Sequence, residues 1–353
     1  MAKKPPKFQI KTKSKPIKVL LVDGNALFKK AFFGAKNDYA YDGSHIGGLH
    51  IFLRLLRNYM ELYTFKKVYV FWDGEESGRE RYEIYPEYKS NRGGKYDINQ
   101  DIVVAEELQK FKVQQYLTEL GIRQLQFKYI EGDDLIAGYI QQKPDNEFVT
   151  IMTNDRDILQ LINDTTRVYL IDIKKHIDKD NFKDVFGYHL ENHLLVKMLN
   201  GDTSDMIKGV KGVSKKSLLT NFPDLINKKV TLNNIFEECD RINKERIDNK
   251  KKPFKAINNI RKGITNGSQG KRLYEINRKI MDLKNPLIDT NIKQIITKYI
   301  HSPLEYDSES ITNVTKMMKN DGLYRVIGHY NFADFLLPYK QLLNREKKYL
   351  DEY

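Results

Sequence analysis

The chain has 353 residues, which is enough for one large domain or two moderate ones with a well-developed core. It carries 60 lysine and arginine residues against 47 acidic residues, and the resulting formal charge of +13 favours a polyanionic partner. Its single cysteine, Cys239, excludes a disulfide framework and a cysteine-based zinc site, and it fits a reducing compartment. Because no apolar run reaches the length of a transmembrane helix, we expect no membrane partner.

The start of the chain combines a basic segment with a buried strand. Residues 1–16 are basic but lack the apolar core of a signal peptide, so we expect a flexible cationic arm there. Ile17–Val22 is a short apolar run typical of a buried parallel strand, and Asp23 follows it directly. The small residues Gly47 and Gly48 begin a later helix, where they would allow a phosphate to approach or would simply serve packing.

A second buried strand, Lys67–Trp72, ends at Asp73, and a basic, tyrosine-rich segment follows it. Cationic side chains neutralise phosphates and tyrosines stack on unpaired bases, so the segment favours contact with single-stranded nucleic acid over an ordinary solvated loop. We expect it to precede a helix at Asp101–Leu120, which Gly121 ends. The residues that carry this interpretation are Arg79, Arg81, Tyr82, Tyr85, Tyr88, Lys89, Arg92 and Lys95.

The most acidic part of the chain lies between residues 129 and 162. Two predicted strands, Arg123–Ile130 and Glu147–Thr153, each run into an acidic turn and then into a helix. Reactive groups of an open α/β sheet collect at the carboxyl ends of the strands, so both turns should face one crevice. Clustered carboxylates repel one another unless cations lie between them, and oxygen-only clusters suit Mg²⁺ or Mn²⁺. Helix capping would explain any one of these acids but not the set, which is Glu131, Asp133, Asp134, Asp155 and Asp157.

Two further acids and a glycine-punctuated segment follow the strand predicted at Arg167–Ile171. A helix at Glu191–Leu199 leads to Asp202 and Asp205. The amides and lysines of the next segment are suited to holding a phosphodiester backbone without reading its sequence. The residues concerned are Gly209, Lys211, Gly212, Ser214, Lys215 and Lys216.

The rest of the chain is predicted to be helical. Leu232–Lys262 is highly charged, a linker-like Gly263–Gly270 follows, and a helical tail runs to Tyr353. Its apolar stripes are typical of core rather than of a partner-binding surface.

Six segments, in this order, resemble the successive motifs of the 5′-nuclease superfamily: VDGNALFKKAF, VFWDG, YPEYKSNRG, IEGDDLIA, TNDRDILQL and LNGDTSDMIKGVKGVSKKS. The superfamily includes flap endonucleases, the 5′-nuclease domain of bacterial DNA polymerase I and phage 5′-exonucleases. The resemblance covers Ile17 to Phe222. The C-terminal segments KRLYEINRKIMDLKNPL and GLYRVIGHYNFADFLL are most similar to the phage ribonuclease H branch. The resemblance to the superfamily implies a PIN-like α/β fold, in which helices flank a mostly parallel twisted sheet. It also implies a helix–hairpin–helix and a helical C-terminal region.

The resemblance also implies roles for individual residues. Lys89 and Arg92 match a basic pair that steadies the scissile phosphate, and Arg81 matches an arginine before that pair. Tyr88 would stack on the terminal base, and Asp134 would support the metal site from nearby. Ser214 stands where relatives usually have glycine, at a hairpin that often holds a monovalent cation such as K⁺. The first divalent ion would be held by Asp23, Asp73, Glu131 and Asp133, and the second by Asp155, Asp157, Asp202 and Asp205.

The function implied is that of a structure-selective 5′-3′ exonuclease or flap endonuclease. Two divalent ions would activate water for phosphodiester hydrolysis, because no Ser/His or Cys/His nucleophile pair is evident. The expected core is 17–185 with an arch at about 77–100, followed by a helical DNA-binding region at 186–353 with its helix–hairpin–helix at about 191–222. Expected substrates are branched or nicked duplex DNA and RNA–DNA hybrids with free 5′ ends.

The resemblance further implies a cytoplasmic, monomeric phage protein in a bacterial host, which removes RNA primers and flaps and works beside a single-strand-binding protein. Two alternatives remain open at this point. One is a toxin-type ribonuclease of similar fold, and the other is a non-catalytic module that binds branched DNA.

Overall fold

The computed structural model describes residues 16–35, 38–93, 100–265, 270, 272–302, 309–327 and 332–351. The described part contains a six-stranded sheet in the spatial order β3-β2-β1-β4-β5-β6, in which β6 alone runs antiparallel to its neighbour. A separate antiparallel pair, β7 and β8, lies later in the chain. The strands are β1 Ile17–Asp23, β2 Lys67–Trp72, β3 Arg123–Gln126, β4 Glu147–Thr153, β5 Thr166–Leu170, β6 Lys175–Ile177, β7 Gly201–Asp202 and β8 Ile207–Lys208.

Helices cover both faces of the sheet and form the C-terminal half. The helices before the β7–β8 pair are α1 Gly24–Gly34, α2 Gly47–Leu62, α3 Arg79–Ile84, α4 Gln100–Glu119, α5 Gly132–Gln142, α6 Phe182–Phe186 and α7 His193–Asn200. The later helices are α8 Lys215–Asn221, α9 Asp224–Asn227, α10 Leu232–Asp248, α11 Lys255–Lys262, α12 Arg272–Met281, α13 Thr290–His301, α14 Ser310–Asn320, α15 Tyr324–Ile327 and α16 Phe332–Asp351.

The central strand β1 shows why the sheet needs cover on both sides. Successive side chains of a strand point to opposite faces. Val19 and Leu21 belong to one core, while Leu20 and Val22 belong to the other, and all four are fully buried. The first core extends into α5, α7 and the helices from α8 to α13, and the second into α1, α2, α4, α14 and α16. The sequence prediction of a mostly parallel α/β sheet with a helical C-terminal region is therefore confirmed.

Three predicted elements are shorter or divided in the structure, and one of them, the helix expected after Glu147–Thr153, is only the 3-10 helix Asp157–Leu161. The strand expected at Arg123–Ile130 ends at Gln126, because the chain turns through Tyr129, whose φ is +70°. The helical region expected at Leu232–Lys262 consists of α10 and α11, which are separated by residues 249–254. The chain turns at Lys250, whose φ is +54°, and Pro253 cannot donate a backbone hydrogen bond within a helix. Among the described residues, no helix has the length and apolar character needed to cross a bilayer.

Candidate active site

Acidic side chains meet where the parallel strands end. Asp23 is the last residue of β1 and caps α1 by accepting a hydrogen bond from the backbone N–H of Ala26 at 2.9 Å. The hydroxyl of Thr153, at the end of the adjacent β4, donates to the other carboxylate oxygen at 2.7 Å. Burial, with smaller contributions from Asp73 and Asp155, raises the pKa of Asp23 to about 6. This carboxylate lies in a pocket of other acids.

Asp73 follows β2 and is held from two sides. The backbone N–H of Gly132 donates to its Oδ1 at 2.8 Å, and the amide of Asn25 donates to its Oδ2. The next residue, Gly74, must be glycine, because a Cβ there would lie 1.7 Å from the carbonyl oxygen of Phe127. These contacts tie the end of β2 to the start of α5, where the next acids stand.

The start of α5 carries three carboxylates, those of Glu131, Asp133 and Asp134, with one oxygen from each lying within 4.8 Å of the others. Burial would raise the pKa of Glu131, but the Arg81 guanidinium and the Lys89 ammonium hold it below its ordinary value. Burial raises the pKa of Asp133 well above its ordinary value even though Arg81 opposes this. These two neighbouring carboxyls have opposite pKa shifts, because Arg81 and Lys89 form direct ion pairs with Glu131, whereas no ion pair to Asp133 occurs among the described residues.

Arg81 and Asp134 form a buried ion pair. Two guanidinium nitrogens of Arg81 donate to the two oxygens of Asp134 at 2.5 and 3.1 Å, and Nη1 also lies 2.6 Å from Glu131. The Nε of Arg81 donates to the carbonyl of Ile280, and the backbone N–H of Leu287 donates to Asp134, both at 2.9 Å. Arg81 and Asp134 therefore use their polar groups on each other and on the C-terminal region, and their geometry supports a positioning role.

Lys89 connects the segment after α3 to both groups of acids. Its backbone is in the left-handed region, at φ +50°, and its N–H donates to the carbonyl of Asp205 at 2.9 Å. Its ammonium donates to Glu131, as does the hydroxyl of Tyr88 at 3.0 Å. Tyr88 is only 3% exposed, so in this structure its ring packs in the core rather than presenting a face to solvent. A left-handed lysine is a strained conformation, of the kind that clusters at functional sites.

A second group of acids surrounds Lys197. Its ammonium contacts Asp157 and lies 2.7 Å from Asp202. Burial would raise the pKa of Asp202, but Lys197 and the hydrogen bonds from Ser204 lower it to about 2. Asp155 accepts from the backbone N–H of Asp157 at 2.7 Å, and burial raises its pKa although Lys197 opposes this. Lys197 therefore supplies positive charge between carboxylates that were predicted to hold a divalent ion.

Sequence reasoning missed Lys197 together with Asn25 and Lys110. The Oδ1 of Asn25 is buried without a hydrogen-bond partner in the described structure, beside Asp73. The ammonium of Lys110 lies 5.3 Å from the centre of the Trp72 ring. Burial lowers the pKa of Lys110, and Asp73 opposes this. A usable signal existed only for Lys197, the one lysine in the helix that leads to Asp202.

The residues between α7 and α8, which include the β7–β8 pair, form a tight connection. Gly209 has no room for a side chain, since a Cβ would lie 2.2 Å from the carbonyl of Asn200. Ser214 caps α8 through reciprocal hydrogen bonds with Ser217, which explains why serine suits this position. Gly212 has a φ of +76° and open space around it, and Lys215 and Lys216 begin α8.

Of three other residues predicted to bind nucleic acid, two lie in the described part of the chain. The guanidinium of Arg79 lies 4.7 Å from the centre of the Tyr129 ring, beside an exposed ion pair with Glu83. Arg92 lies in a short turn of 3-10 helix, Ser90–Gly93. Lys95 falls outside the described residues, as do the residues from 94 to 99 of the predicted arch and residues 1–15 of the predicted arm.

Comparison with known proteins shows which family the N-terminal half of the chain is similar to. Residues 18–187 match the family model of the 5′-3′ exonuclease N-terminal, resolvase-like domain. This match supports the resemblance to the 5′-nuclease superfamily. A 5′-3′ exonuclease of Buchnera aphidicola subsp. Schizaphis graminum is 29% identical over 255 residues, which cover 71% of this chain and 83% of the relative. A 5′-3′ exonuclease of Bacillus subtilis is 28% identical over 290 residues, which cover 78% of this chain and 90% of the relative.

Solved structures agree on the fold. The flap endonuclease of bacteriophage T5, in a complex with DNA and metal ions, superposes with a TM-score of 0.61 at 18% identity. The superposition covers 80% of this chain and 97% of the phage protein. The chain therefore has the 5′-nuclease fold, and the resemblance indicated by its six motifs is confirmed.

The acidic residues at this edge of the sheet suit divalent metal ions. The donors are carboxylate oxygens, which hard divalent cations prefer. Asp23, Asp133 and Asp155 have raised pKa values because burial leaves their charge insufficiently balanced. Such carboxyls become good ligands once a cation offsets the cost of ionising them. The residues present therefore fit a divalent-metal centre at the carboxyl edge of the sheet.

Proposed function

We propose that this protein is a structure-selective 5′-3′ exonuclease and flap endonuclease that hydrolyses phosphodiester bonds with two divalent ions, Mg²⁺ or Mn²⁺. The observation that carries the proposal is the convergence of acids from the ends of β1, β2 and β4 and the start of α5, bordered by Lys89 and Lys197. An acidic pocket with cations at its edge suits a phosphate group approached by metal ions.

We assign the first ion to Asp23, Asp73, Glu131 and Asp133, and the second to Asp155, Asp157, Asp202 and Asp205. When bound, the ions would activate water and stabilise the charge that develops on the phosphate. Asp134 acts through Arg81 rather than as a direct ligand, because both of its oxygens already accept hydrogen bonds.

Lys89 and Arg92 are assigned to the scissile phosphate. The ammonium of Lys89 forms an ion pair with Glu131, so it already lies at the edge of the proposed metal centre. The hydrogen bond from its backbone N–H to the carbonyl of Asp205 also holds Lys89 beside the second group of acids. A cation held at this border stabilises charge in the transition state without reorganisation.

The connection between α7 and α8 is assigned to the duplex as a helix–hairpin–helix. Its backbone amides and lysines would contact phosphates without reading sequence, and its carbonyls would hold K⁺. The polar contacts of Lys211 favour a rigid loop, because its N–H donates to the carbonyl of Ile264 at 2.8 Å and its own carbonyl accepts from Asn259 at 2.9 Å. Arg79 and Lys95 are assigned to the unpaired strand.

The substrates we infer are branched or nicked DNA and RNA–DNA hybrids with free 5′ ends. The resemblance of the C-terminal segments to the phage ribonuclease H branch supports a role in removing RNA primers and flaps during lagging-strand synthesis in a phage-infected bacterial cytoplasm. A single-strand-binding protein would be the natural partner at such sites, with the nuclease itself acting as a monomer.

A substrate panel tests the proposal. Four 5′-labelled substrates would be compared in Mg²⁺: a DNA flap, an RNA flap, a nicked duplex and a single strand. Short 5′ products from flaps and nicks, with little cleavage of the single strand, are expected. Cleavage of single-stranded RNA alone would instead indicate a PIN-type ribonuclease, and binding of branched DNA without cleavage would indicate a non-catalytic module.

A further inference from the structure

The helical hairpin made by α10 and α11 has an uneven charge distribution. Cys239 of α10 and Ile257 and Ile260 of α11 belong to the same buried core. Residues 249–264 carry six cationic side chains and no acidic one, whereas α10 contains five acids and three cations. Within the described residues, one ion pair links the two helices, that of Arg261 with Asp240 at 3.0 Å. A segment whose charged residues all have one sign is unlike an ordinary solvated surface segment, in which both signs are mixed.

The turn between α10 and α11 is held in place. The Nε of Arg246 donates to the carbonyl of Lys252 at 2.9 Å, and its guanidinium lies 5.0 Å from the centre of the Phe254 ring. The backbone N–H of Phe254 donates to the side chain of Asn243 at 3.2 Å. The side chains of Lys250, Lys251 and Lys252, here called the tip lysines, are exposed and form no ion pair with any described residue. An ordered turn therefore presents three adjacent cations to solvent.

The helix α11 connects these tip lysines to the hairpin between α7 and α8. Its C-terminal end lies against Lys211, through the hydrogen bonds of Ile264 and Asn259 described above. Lys255 and Lys262 are exposed and lie seven residues apart, on the same side of the helix. A helix of 8 residues is about 12 Å long at 1.5 Å per residue. Since phosphates of one strand are about 3.4 Å apart along a duplex, this length corresponds to roughly three or four base pairs.

We propose that the tip lysines, together with Lys255 and Lys262, form a second contact with the phosphate backbone of the duplex held by the hairpin. This inference rests on the proposed function, which places a duplex at the hairpin. The contact lengthens the bound duplex beyond Lys211. It strengthens binding without selecting sequence, because isolated lysines supply charge rather than base recognition.

The experiment compares duplex affinity as a function of salt and length. The variant changes all three tip lysines to alanine, and a second variant changes them to arginine. A control removes the same charge from Lys316, Lys319 and Lys340, which lie on α14 and α16 in the other core layer of the sheet. Each is made in the Asp155→Asn background and titrated in Mg²⁺ against two labelled flap DNAs whose duplexes differ by about eight base pairs, roughly twice the reach estimated for α11.

On the longer duplex, the alanine variant should weaken binding about tenfold and lower the slope of log Kd against log salt by about 2–3, since each lost phosphate contact removes about 0.9. The arginine variant and the control should behave like the parent, and the shorter duplex should show little difference. An unchanged salt slope, or an equal loss on both duplexes, overturns the second contact. Cleavage of the longer substrate by the wild type is measured in parallel. This measurement distinguishes a failure of the proposed second contact from a failure of the proposed nuclease function.

Discussion

Replacing Arg81 by methionine should lower the free energy of unfolding by more than it lowers the binding free energy for DNA. Arg81 is 4% exposed and Asp134 is 1% exposed, and the guanidinium also pairs with Glu131. Without Arg81, Glu131 keeps its contacts with Lys89 and Tyr88, whereas Asp134 keeps only the hydrogen bond from Leu287 among the contacts described above. The variant therefore leaves one carboxylate buried with little compensation.

The magnitude follows from that uncompensated charge. Removing one partner of a buried ion pair costs about 3–5 kcal/mol of unfolding free energy. Adding Asp134→Asn should recover about 2 kcal/mol, because a neutral amide avoids the buried charge and its oxygen still accepts from Leu287. The double variant should thus be more stable than Arg81→Met alone, although it carries one more substitution.

Urea unfolding in EDTA, followed by far-ultraviolet circular dichroism, gives the free energies of the wild type, the two single variants and the double variant. A parallel titration with flap DNA measures binding of the folded variants. The explanation fails if Arg81→Met costs less than about 1 kcal/mol, or if the two single losses simply add in the double variant. Weaker DNA binding with unchanged stability would instead assign Arg81 to direct nucleic-acid contact.

Three further predictions concern other parts of the molecule. Burial lowers the pKa of His193 to about 4, so between pH 7 and pH 5 the unfolded state gains a proton that the folded state does not. In urea titrations at the two pH values, the free energy of unfolding of the wild type should therefore fall by about 2 kcal/mol more than that of His193→Gln. Equal decreases in the two proteins would contradict this. Lys197→Met should bind Mn²⁺ more tightly in calorimetry, because the ion no longer displaces an ammonium from Asp157, and weaker binding would refute that. Gly209→Ala should lower the melting temperature and the affinity for DNA, because the new Cβ would lie 2.2 Å from backbone atoms of Asn200. Gly212 has open space around it but a φ of +76°, so Gly212→Ala should lower the free energy of unfolding by only about 1 kcal/mol. Similar losses of stability in the two variants would argue against close packing at Gly209.

Much of the fold could be predicted because its signals are local. The strand runs end directly before acids, as Ile17–Val22 does before Asp23, and parallel strands place their ends at one edge. Local patterns also mark α5 after the acidic turn at Glu131, whereas the tyrosine-rich segment gave no sign of α3, and only the 3-10 helix Asp157–Leu161 follows the acids after β4. The ends of the elements could be predicted less accurately. The turn at Tyr129 and the division of Leu232–Lys262 into α10 and α11 depend on backbone geometry, which hydrophobic periodicity does not report.

Contacts between distant residues could not be predicted in this way. Arg81 lies next to tyrosines and other cations in the sequence, which suggests a nucleic-acid surface. Its actual partners, Asp134 and Ile280, are 53 and 199 residues away, and they bury it. Lys197 acquires its position only when α7 packs beside the turn after β4, which brings it to Asp157. The predicted metal ligands remain predictions, and the structure adds which cations stand beside them.

The measurement that tests the central claim most directly is cleavage of a 5′-labelled DNA flap by the wild type and by Asp155→Asn, each in Mg²⁺ and in EDTA. The account predicts Mg²⁺-dependent release of short 5′ products by the wild type and a loss of more than about 100-fold in Asp155→Asn, which remains folded because it removes charge from a crowded acidic pocket. Cleavage by the wild type in EDTA, or near-normal cleavage by Asp155→Asn, would contradict a metal-dependent centre built on these acids.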